Sequence, residues 1–225
     1  MTVLFLYDHN AQRFERFQGS ELPYLTYGRI SMRGFLGQSD TDVAWTDLRL
    51  LQAYDAFCEL NSASVYVGAG FKRVGSGLHT GQSAHYAGLA LHMAQGAGSV
   101  ELEQLRLLAA ESELFSYVEP SHLAPVWVHA EISAAPSCSL LRGYPHLSRG
   151  MSGVHVFVLQ DALLCCGFAT ALTGVFDATT ERALQRFRES EGLIMSASAD
   201  LPFWNRLMKR AKIAAHEDDF YPDSI

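Results

Sequence analysis

The sequence predicts an α+β protein of two parts, an α+β region over residues 1–135 and a small three-helix region over residues 146–212. The chain of 225 residues exceeds a typical domain of roughly 100–150 residues. Short strand-like patterns and longer helical patterns alternate in the first part. A stretch rich in Pro, Gly and Ser, AAPSCSLLRGYPHLSRGMS, then precedes a run of helical patterns. We therefore place a linker over residues 136–145 and a frayed tail over residues 213–225.

The first part combines apolar runs of strand length with segments of helical apolar spacing. Strands are expected where short runs of apolar or alternating residues stand between turn-forming residues, and helices where apolar residues recur every three or four positions. Strands are predicted at Val3–Leu6, Ser64–Gly68 and Trp127–Ser133, and helices at Asp47–Leu60 and Glu101–Ser112.

The second part carries three helical patterns with recognisable starts and stops. The first, over Gly153–Cys166, is predicted to be amphipathic. The second begins at Thr179–Glu181, where a hydroxyl is expected to cap the helix, and ends at Gly192. The third opens at Pro202, since proline suits the first turn of a helix.

Composition excludes several classes of protein. Hydrophobic residues make up 48% of the chain and charged residues 18%, which is typical of a globular rather than a disordered protein. A net charge of −7 argues against nucleic-acid binding. The segment Val154–Phe176 is too polar to cross a membrane, and no membrane span is expected. Cys58, Cys138, Cys165 and Cys166 lack metal-type spacing and are interpreted as small buried side chains.

Three short motifs carry the functional signal. They are S-x-H at residues 83–85, G-x-A-x-H at residues 88–92 and V-H-x-E at residues 128–131. Together they resemble the S-x-H, G-x-A-x-D and V-H-x-[DE] motifs of zinc peptidases of the D-Ala-D-Ala carboxypeptidase type. Tyr117–Pro120 and Trp127–His129 are also similar to peptidoglycan-associated proteins of spore-forming bacteria, which carry S-x-H-Y-A-G and Y-V-E-P…W-V-H. The resemblance covers about residues 40–133.

This resemblance implies a catalytic zinc ion held by His85, His92 and His129. A catalytic zinc typically has three protein ligands and leaves one position for water, whose pKa falls to about 7. His92 stands where the family has aspartate, so the predicted set is His-His-His. Three neutral imidazoles still bind zinc well. The exchange removes one negative charge and is expected to change the rate rather than abolish metal binding.

The resemblance also implies roles for residues around the metal. Arg73 would anchor a substrate carboxylate, and a surface ion pair is the alternative for it. Many relatives carry E-x-x-H before the last ligand, but Val126 occupies that position here. Glu131 is therefore the first candidate for the general base, because it shares a strand face with His129. The remaining candidates are Glu119 as the base, His79 and Ser83 as substrate contacts (Ser83 also as a hydrogen-bonding support), and Trp127 as a core residue.

Residues 146–212 resemble the three-helix peptidoglycan-binding domain, which would hold a catalytic partner on the cell wall. A generic three-helix module is the alternative. The matching positions are Leu147, Gly150, Gly153, Val154, Val156, Leu159, Gln160, Leu163, Gly167, Gly174, Val175, Phe176, Thr179, Thr180, Ala183, Phe187, Gly192, Leu193 and Trp204. Asp177 departs from the family, which usually has a small residue there.

The sequence thus predicts a zinc-dependent hydrolase of peptidoglycan stem peptides, a D,D-carboxypeptidase or endopeptidase held on the wall by its C-terminal part. One alternative is a catalytically inactive wall-binding or scaffold protein, and another is a binder of a small ligand in the same cleft. The N-terminus MTVLFLYDHN lacks the features of a secretory signal. We therefore expect synthesis in the cytoplasm and action at the cell wall or spore cortex.

Overall fold

The computed structural model describes residues 2–76, 81–94, 96–132 and 143–217, and over these residues the protein has an α+β fold. Its helices are α1 (Met32–Leu36), α2 (Leu48–Leu60), α3 (Ser99–Glu111), α4 (Val154–Cys165), α5 (Ala178–Ser190) and α6 (Leu201–Glu217). Its strands are β1 (Val3–Asp8), β2 (Arg13–Phe17), β3 (Val43–Asp47), β4 (Val67–Ala69), β5 (Ala90–Met93), β6 (Tyr117–Val118), β7 (Val128–Glu131), β8 (Leu147–Ser148) and β9 (Ser198–Ala199). Two 3₁₀ turns cover Val74–Ser76 and Ala84–Ala87.

Two sheets make up most of the first part of the chain. The strands of one are ordered β2-β1-β3, with β1 antiparallel to β2 and parallel to β3. The strands of the other are ordered β4-β5-β7-β6, and every neighbouring pair in it is antiparallel. A two-stranded pairing of β8 with β9 lies in the second part. The second of these sheets carries the candidate site.

Helix α4 is buried along almost its whole length. Nine of its twelve residues, from Val154 to Leu163 except His155, are buried. It packs against α5 and α6 and also against β3 and both 3₁₀ turns. The amphipathic pattern predicted for this helix is therefore wrong, because a helix covered from several sides needs no polar face.

One apolar core includes residues from both predicted parts of the chain. The rings of Trp45 in β3 and Phe157 in α4 stack at 4.8 Å and 6°. Phe5 and Phe14 of the first sheet also contact Phe157, at 5.2 and 5.0 Å between ring centroids. Burying several aromatic side chains together contributes strongly to stability. Most of the predicted linker, residues 136–142, lies outside the described residues.

All five predicted helices are present, with shifted ends. The cap of α5 is the carboxylate of Asp177, which accepts from the backbone N–H of Thr179 and Thr180, and not a hydroxyl. Helix α6 continues to Glu217, beyond the point at which a frayed tail was expected. Strand β4 covers only part of the predicted Ser64–Gly68 strand.

Three cysteines, Cys58, Cys165 and Cys166, lie in the described part of the chain. Cys58 is buried, as predicted, but Cys165 and Cys166 are only half-buried because they lie at the exposed end of α4. Burial raises the pKa of the Cys166 thiol to about 12, so this group stays protonated. Cys138 lies outside the described residues.

No helix in the described ranges combines the length and the apolar character that a membrane crossing requires.

Gly88 is the glycine on which the fold of the motif region depends. Its φ of +62° is left-handed, and a Cβ there would overlap the carbonyl oxygen of Trp45. We expect Gly88→Ala to lower the free energy of unfolding by about 3 kcal/mol or more, because backbone strain and overlap add. Gly192→Ala is the matched control, since Gly192 has a φ of +63° but open space around it, and should cost about 1 kcal/mol. Urea denaturation measures both, and equal losses would contradict the overlap.

Candidate metal centre

The pairing of β5 with β7 places two histidines side by side. In this antiparallel pair His92 lies directly opposite His129. Because side chains alternate along a strand, Leu91 and Val128 point to the other face, where both are fully buried in the core. The two imidazoles share the face that is not filled by the core, and both are partly buried.

The third histidine comes from the 3₁₀ turn Ala84–Ala87. Ser83 precedes this turn, and its hydroxyl accepts a hydrogen bond from the backbone N–H of His85 at 3.3 Å. Gly88 ends it in a left-handed conformation. The turn is held on β3, where the Trp45 indole N–H donates to the Tyr86 carbonyl at 2.9 Å. These contacts place the His85 side chain over the sheet, where only 1% of it is exposed.

The three imidazoles form a compact cluster. Ring centroids are separated by 4.4 Å for His85 and His92, 5.2 Å for His85 and His129, and 5.3 Å for His92 and His129. One ligand atom of each residue lies within 4.8 Å of the others. Nitrogens that share a tetrahedral zinc ion are about 3.3 Å apart. Small side-chain movements therefore suffice for the cluster to hold a metal ion, as the sequence predicted.

The hydrogen bonds of His85 fit a metal ligand. Its Nδ1 lies 3.2 Å from the carbonyl oxygen of Gly70, and its Nε2 lies 2.9 Å from Nε2 of His92. A carbonyl can only accept, so Nδ1 carries the proton and Nε2 keeps a lone pair facing the cluster. Metal-binding histidines are usually oriented by such a bond from the other ring nitrogen.

One carboxylate lies beside the cluster, and a second glutamate follows the neighbouring strand β6. Oε2 of Glu131 is 3.5 Å from Nε2 of His129, and 17% of the Glu131 side chain is exposed. Glu119 follows β6, and its backbone N–H donates to the His129 carbonyl at 2.9 Å. The pairing of β6 with β7 therefore brings Glu119 opposite His129. Of the two predicted acid–base residues, Glu131 contacts a histidine of the cluster, and the role of either residue stays a prediction.

Arg73 makes an ion pair away from this face. Its Nε and Nη2 donate to Oδ1 of Asp161 at 3.0 and 2.6 Å, and its Nη1 donates to Thr41 at 3.2 Å. It lines a cavity of about 710 Å³ with Asp161, whereas His92 lines a different cavity of about 690 Å³. The substrate role predicted for Arg73 stays a prediction.

A cation that sequence reasoning missed is Lys72, the neighbour of Arg73. Lys72 lines the same cavity as His92, and only 9% of it is exposed. Burial lowers the pKa of its ammonium group. Within the described part of the chain this side chain has no ion-pair partner. The sequence offered one usable signal, since Lys72 and Arg73 are adjacent and must point to different sides of an extended segment.

Trp127 borders the same cavity. The sequence predicted a core residue at this position, and that prediction is wrong. The Trp127 ring stacks on His92 at 4.7 Å and 19°, and the residue is half-buried. Its indole Nε1 is buried and makes no hydrogen bond with any described residue. An unpaired buried donor of this kind is rare and costly.

The two remaining predicted contacts are placed differently. Ser83 lies next to the cluster, but its hydroxyl serves the 3₁₀ turn, which agrees with a supporting role. His79 lies outside the described residues.

Comparison with known proteins found no matching family model, no matching curated protein and no matching solved structure. The resemblance to zinc peptidases therefore stands on its motifs, and the three-histidine cluster is the structural feature that agrees with it.

We expect the protein to bind about one zinc ion per chain, measured by calorimetric titration and by metal analysis after dialysis. His85→Ala and His129→Ala should each weaken binding by at least about 100-fold, since loss of a ligand costs more than loss of an outer contact. His122→Ala is the control, because His122 is exposed and should leave affinity unchanged. Equal losses in all three variants would contradict the assignment.

Proposed function

We propose that the protein is a zinc-dependent peptide hydrolase that acts on peptidoglycan stem peptides, as a D,D-carboxypeptidase or endopeptidase. The observation that carries the proposal is the convergence of His85, His92 and His129 from two remote parts of the chain. A carboxylate, that of Glu131, lies 3.5 Å from one of these ligands. Three imidazoles with an adjacent carboxylate are the parts that metal-assisted amide hydrolysis needs.

The choice of zinc rests on the donor set. Imidazole nitrogens suit zinc, copper, nickel and iron, and a three-histidine set that leaves one position for water occurs in catalytic zinc sites. A zinc ion there would supply a Lewis acid that polarises the amide carbonyl and makes water acidic enough to attack near neutral pH.

Glu131 would move the protons of the reaction. Its carboxylate would accept a proton from the water whose oxygen attacks the amide carbon, and would return it to the nitrogen as the C–N bond breaks. Glu119, opposite His129 in the sheet, is the second candidate for this role. The products are a carboxylate and an ammonium ion, because the second proton of the water also passes to the leaving amine, so atoms and charge balance.

A substrate carboxylate is best matched by Lys72. This buried ammonium lines the cavity that His92 also lines, while the guanidinium of Arg73 is bound to Asp161. An unpaired buried cation favours an anionic ligand, because the ligand replaces the hydration that burial removed. Trp127 borders the same cavity.

The peptidoglycan part of the proposal rests on the motif resemblance. Residues 146–212 would hold the enzyme on the cell wall or spore cortex, and helices α4, α5 and α6 make up most of this segment. A catalytically inactive wall-binding or scaffold protein is the second candidate. It is favoured by Val126, which is 53% exposed at the position where many relatives carry glutamate, and by the ion pair of Arg73.

Glu131→Gln separates the two candidates. We expect it to keep zinc but to lower kcat on purified stem peptides by about 10²- to 10⁴-fold, because the proton acceptor is lost. Glu119→Gln is the matched variant and should retain most of the activity. Chromatography of the released peptides measures both. A zinc-loaded wild type that releases no peptide from any peptidoglycan preparation would favour the inactive protein.

Lys72→Met tests the anchoring of the substrate. For a peptide with a free terminal carboxylate we expect KM to rise by about 10- to 100-fold, because one charge-assisted hydrogen bond to the substrate is lost. The same peptide with an amidated terminus should bind wild type and variant alike. Lys209→Met, at an exposed position of α6, is the control. An unchanged KM for the free carboxylate would show that Lys72 does not bind it.

A further inference from the structure

We infer that Asp161 of α4 is a positioning residue for the metal ligand His85, so that the C-terminal helices are a structural part of the metal centre. The inference rests on the metal-binding part of the proposed function and is independent of hydrolysis. It concerns residues that no motif links, because Asp161 lies 76 positions after His85 in the chain.

Asp161 holds the segment that begins at Gly70 and ends at Val74. Its Oδ1 accepts from Arg73 at two guanidinium nitrogens, at 3.0 and 2.6 Å, and its Oδ2 accepts from the backbone N–H of Val74 at 2.9 Å. Only 4% of Asp161 is exposed. Three hydrogen bonds to a buried carboxylate form a rigid attachment, because the loss of one partner would leave a charge uncompensated in the interior.

The same segment orients His85. The Lys72 backbone N–H donates to the His85 carbonyl at 3.1 Å, and the Gly70 carbonyl lies 3.2 Å from Nδ1 of the His85 ring. The first contact holds the backbone of the ligand, and the second selects its tautomer. Asp161 and His85 therefore bind opposite ends of a segment of five residues.

Aromatic packing holds these parts together. The guanidinium of Arg73 lies 5.6 Å from the ring of Trp45, the same ring that stacks on Phe157 of α4. The indole N–H of Trp45 donates to the carbonyl of Tyr86, next to His85. The Trp45 side chain therefore contacts α4, Arg73 and the 3₁₀ turn that carries His85, which we call the ligand turn. A displacement of α4 would be transmitted through it to His85.

A second attachment lies at the start of the ligand turn. The hydroxyl of Tyr144 donates to the Ser83 carbonyl at 2.7 Å, and the amide of Gln82 donates to Asn205 of α6 at 2.9 Å. The two residues that precede the turn Ala84–Ala87 are thus bonded to the second part of the chain. A segment that only tethered the enzyme to a wall would not need these bonds.

The test uses the full-length chain reconstituted with cobalt(II), whose visible absorption reports ligand geometry without any substrate. We expect Asp161→Asn to weaken cobalt affinity by about 10-fold or more and to change the shape of the band, as loss of an outer contact does. Asp200→Asn is the matched control, since Asp200 also pairs with an arginine, Arg188, and accepts a backbone N–H from Phe203. It should leave affinity and band unchanged.

A folded Asp161→Asn protein with the wild-type band and affinity would overturn the inference while leaving the proposed hydrolase intact. If Asp161→Asn does not fold, Arg73→Lys tests the inference instead. This variant keeps the positive charge but loses the contact of two guanidinium nitrogens with Asp161. An intermediate loss of affinity in Arg73→Lys supports the inference, and no loss overturns it. A wild type that binds no cobalt would overturn both proposals, whereas missing hydrolysis with normal cobalt binding would affect only the enzyme.

Discussion

The register between β5 and β7 is the constraint on which the candidate site depends. It brings His92 and His129, which are 37 positions apart in the chain, face to face across two neighbouring strands. If either strand moved by one residue, its imidazole would turn into the core and its apolar neighbour, Leu91 or Val128, would lie on the outside. The apolar residues on the core face prevent such a shift, since their burial stabilises only one register. The energy that fixes the metal ligands therefore comes from the hydrophobic side of the same strands.

A second constraint acts over a longer distance in the chain. Trp45 lies between the first sheet, the ligand turn and α4, and a single apolar core extends across these elements. Helix α4 is covered on nearly all sides, which would be unfavourable for a helix that had to be stable in an isolated module. The candidate metal centre is thus built on packing that involves both parts of the chain. This arrangement connects stability of the helical region to the geometry of the site.

Local patterns in the sequence predicted the local features of the structure. The motif spacing identified the three histidines, and the period of two in strands placed Glu131 on the face of His129. Helices α2, α3 and α5 followed from apolar periodicity. Strands β6, β8 and β9 have only two residues each, too few for any alternation to be visible. The ion pair of Arg73 with Asp161 joins residues 88 positions apart, and the cavity that Lys72 lines is also lined by Trp127, 55 positions further along the chain. Neither could be read from one sequence, because pairing over such a distance leaves no local pattern.

The central claim is that three imidazoles converge on one cation, and a crystal structure of the zinc-loaded protein with anomalous diffraction at the zinc edge tests it most directly. The account predicts one peak about 2.0–2.1 Å from a nitrogen of each of His85, His92 and His129, with Nδ1 of His85 still bonded to the Gly70 carbonyl. A zinc peak elsewhere, or a structure in which any of these rings turns away from the ion, would contradict it.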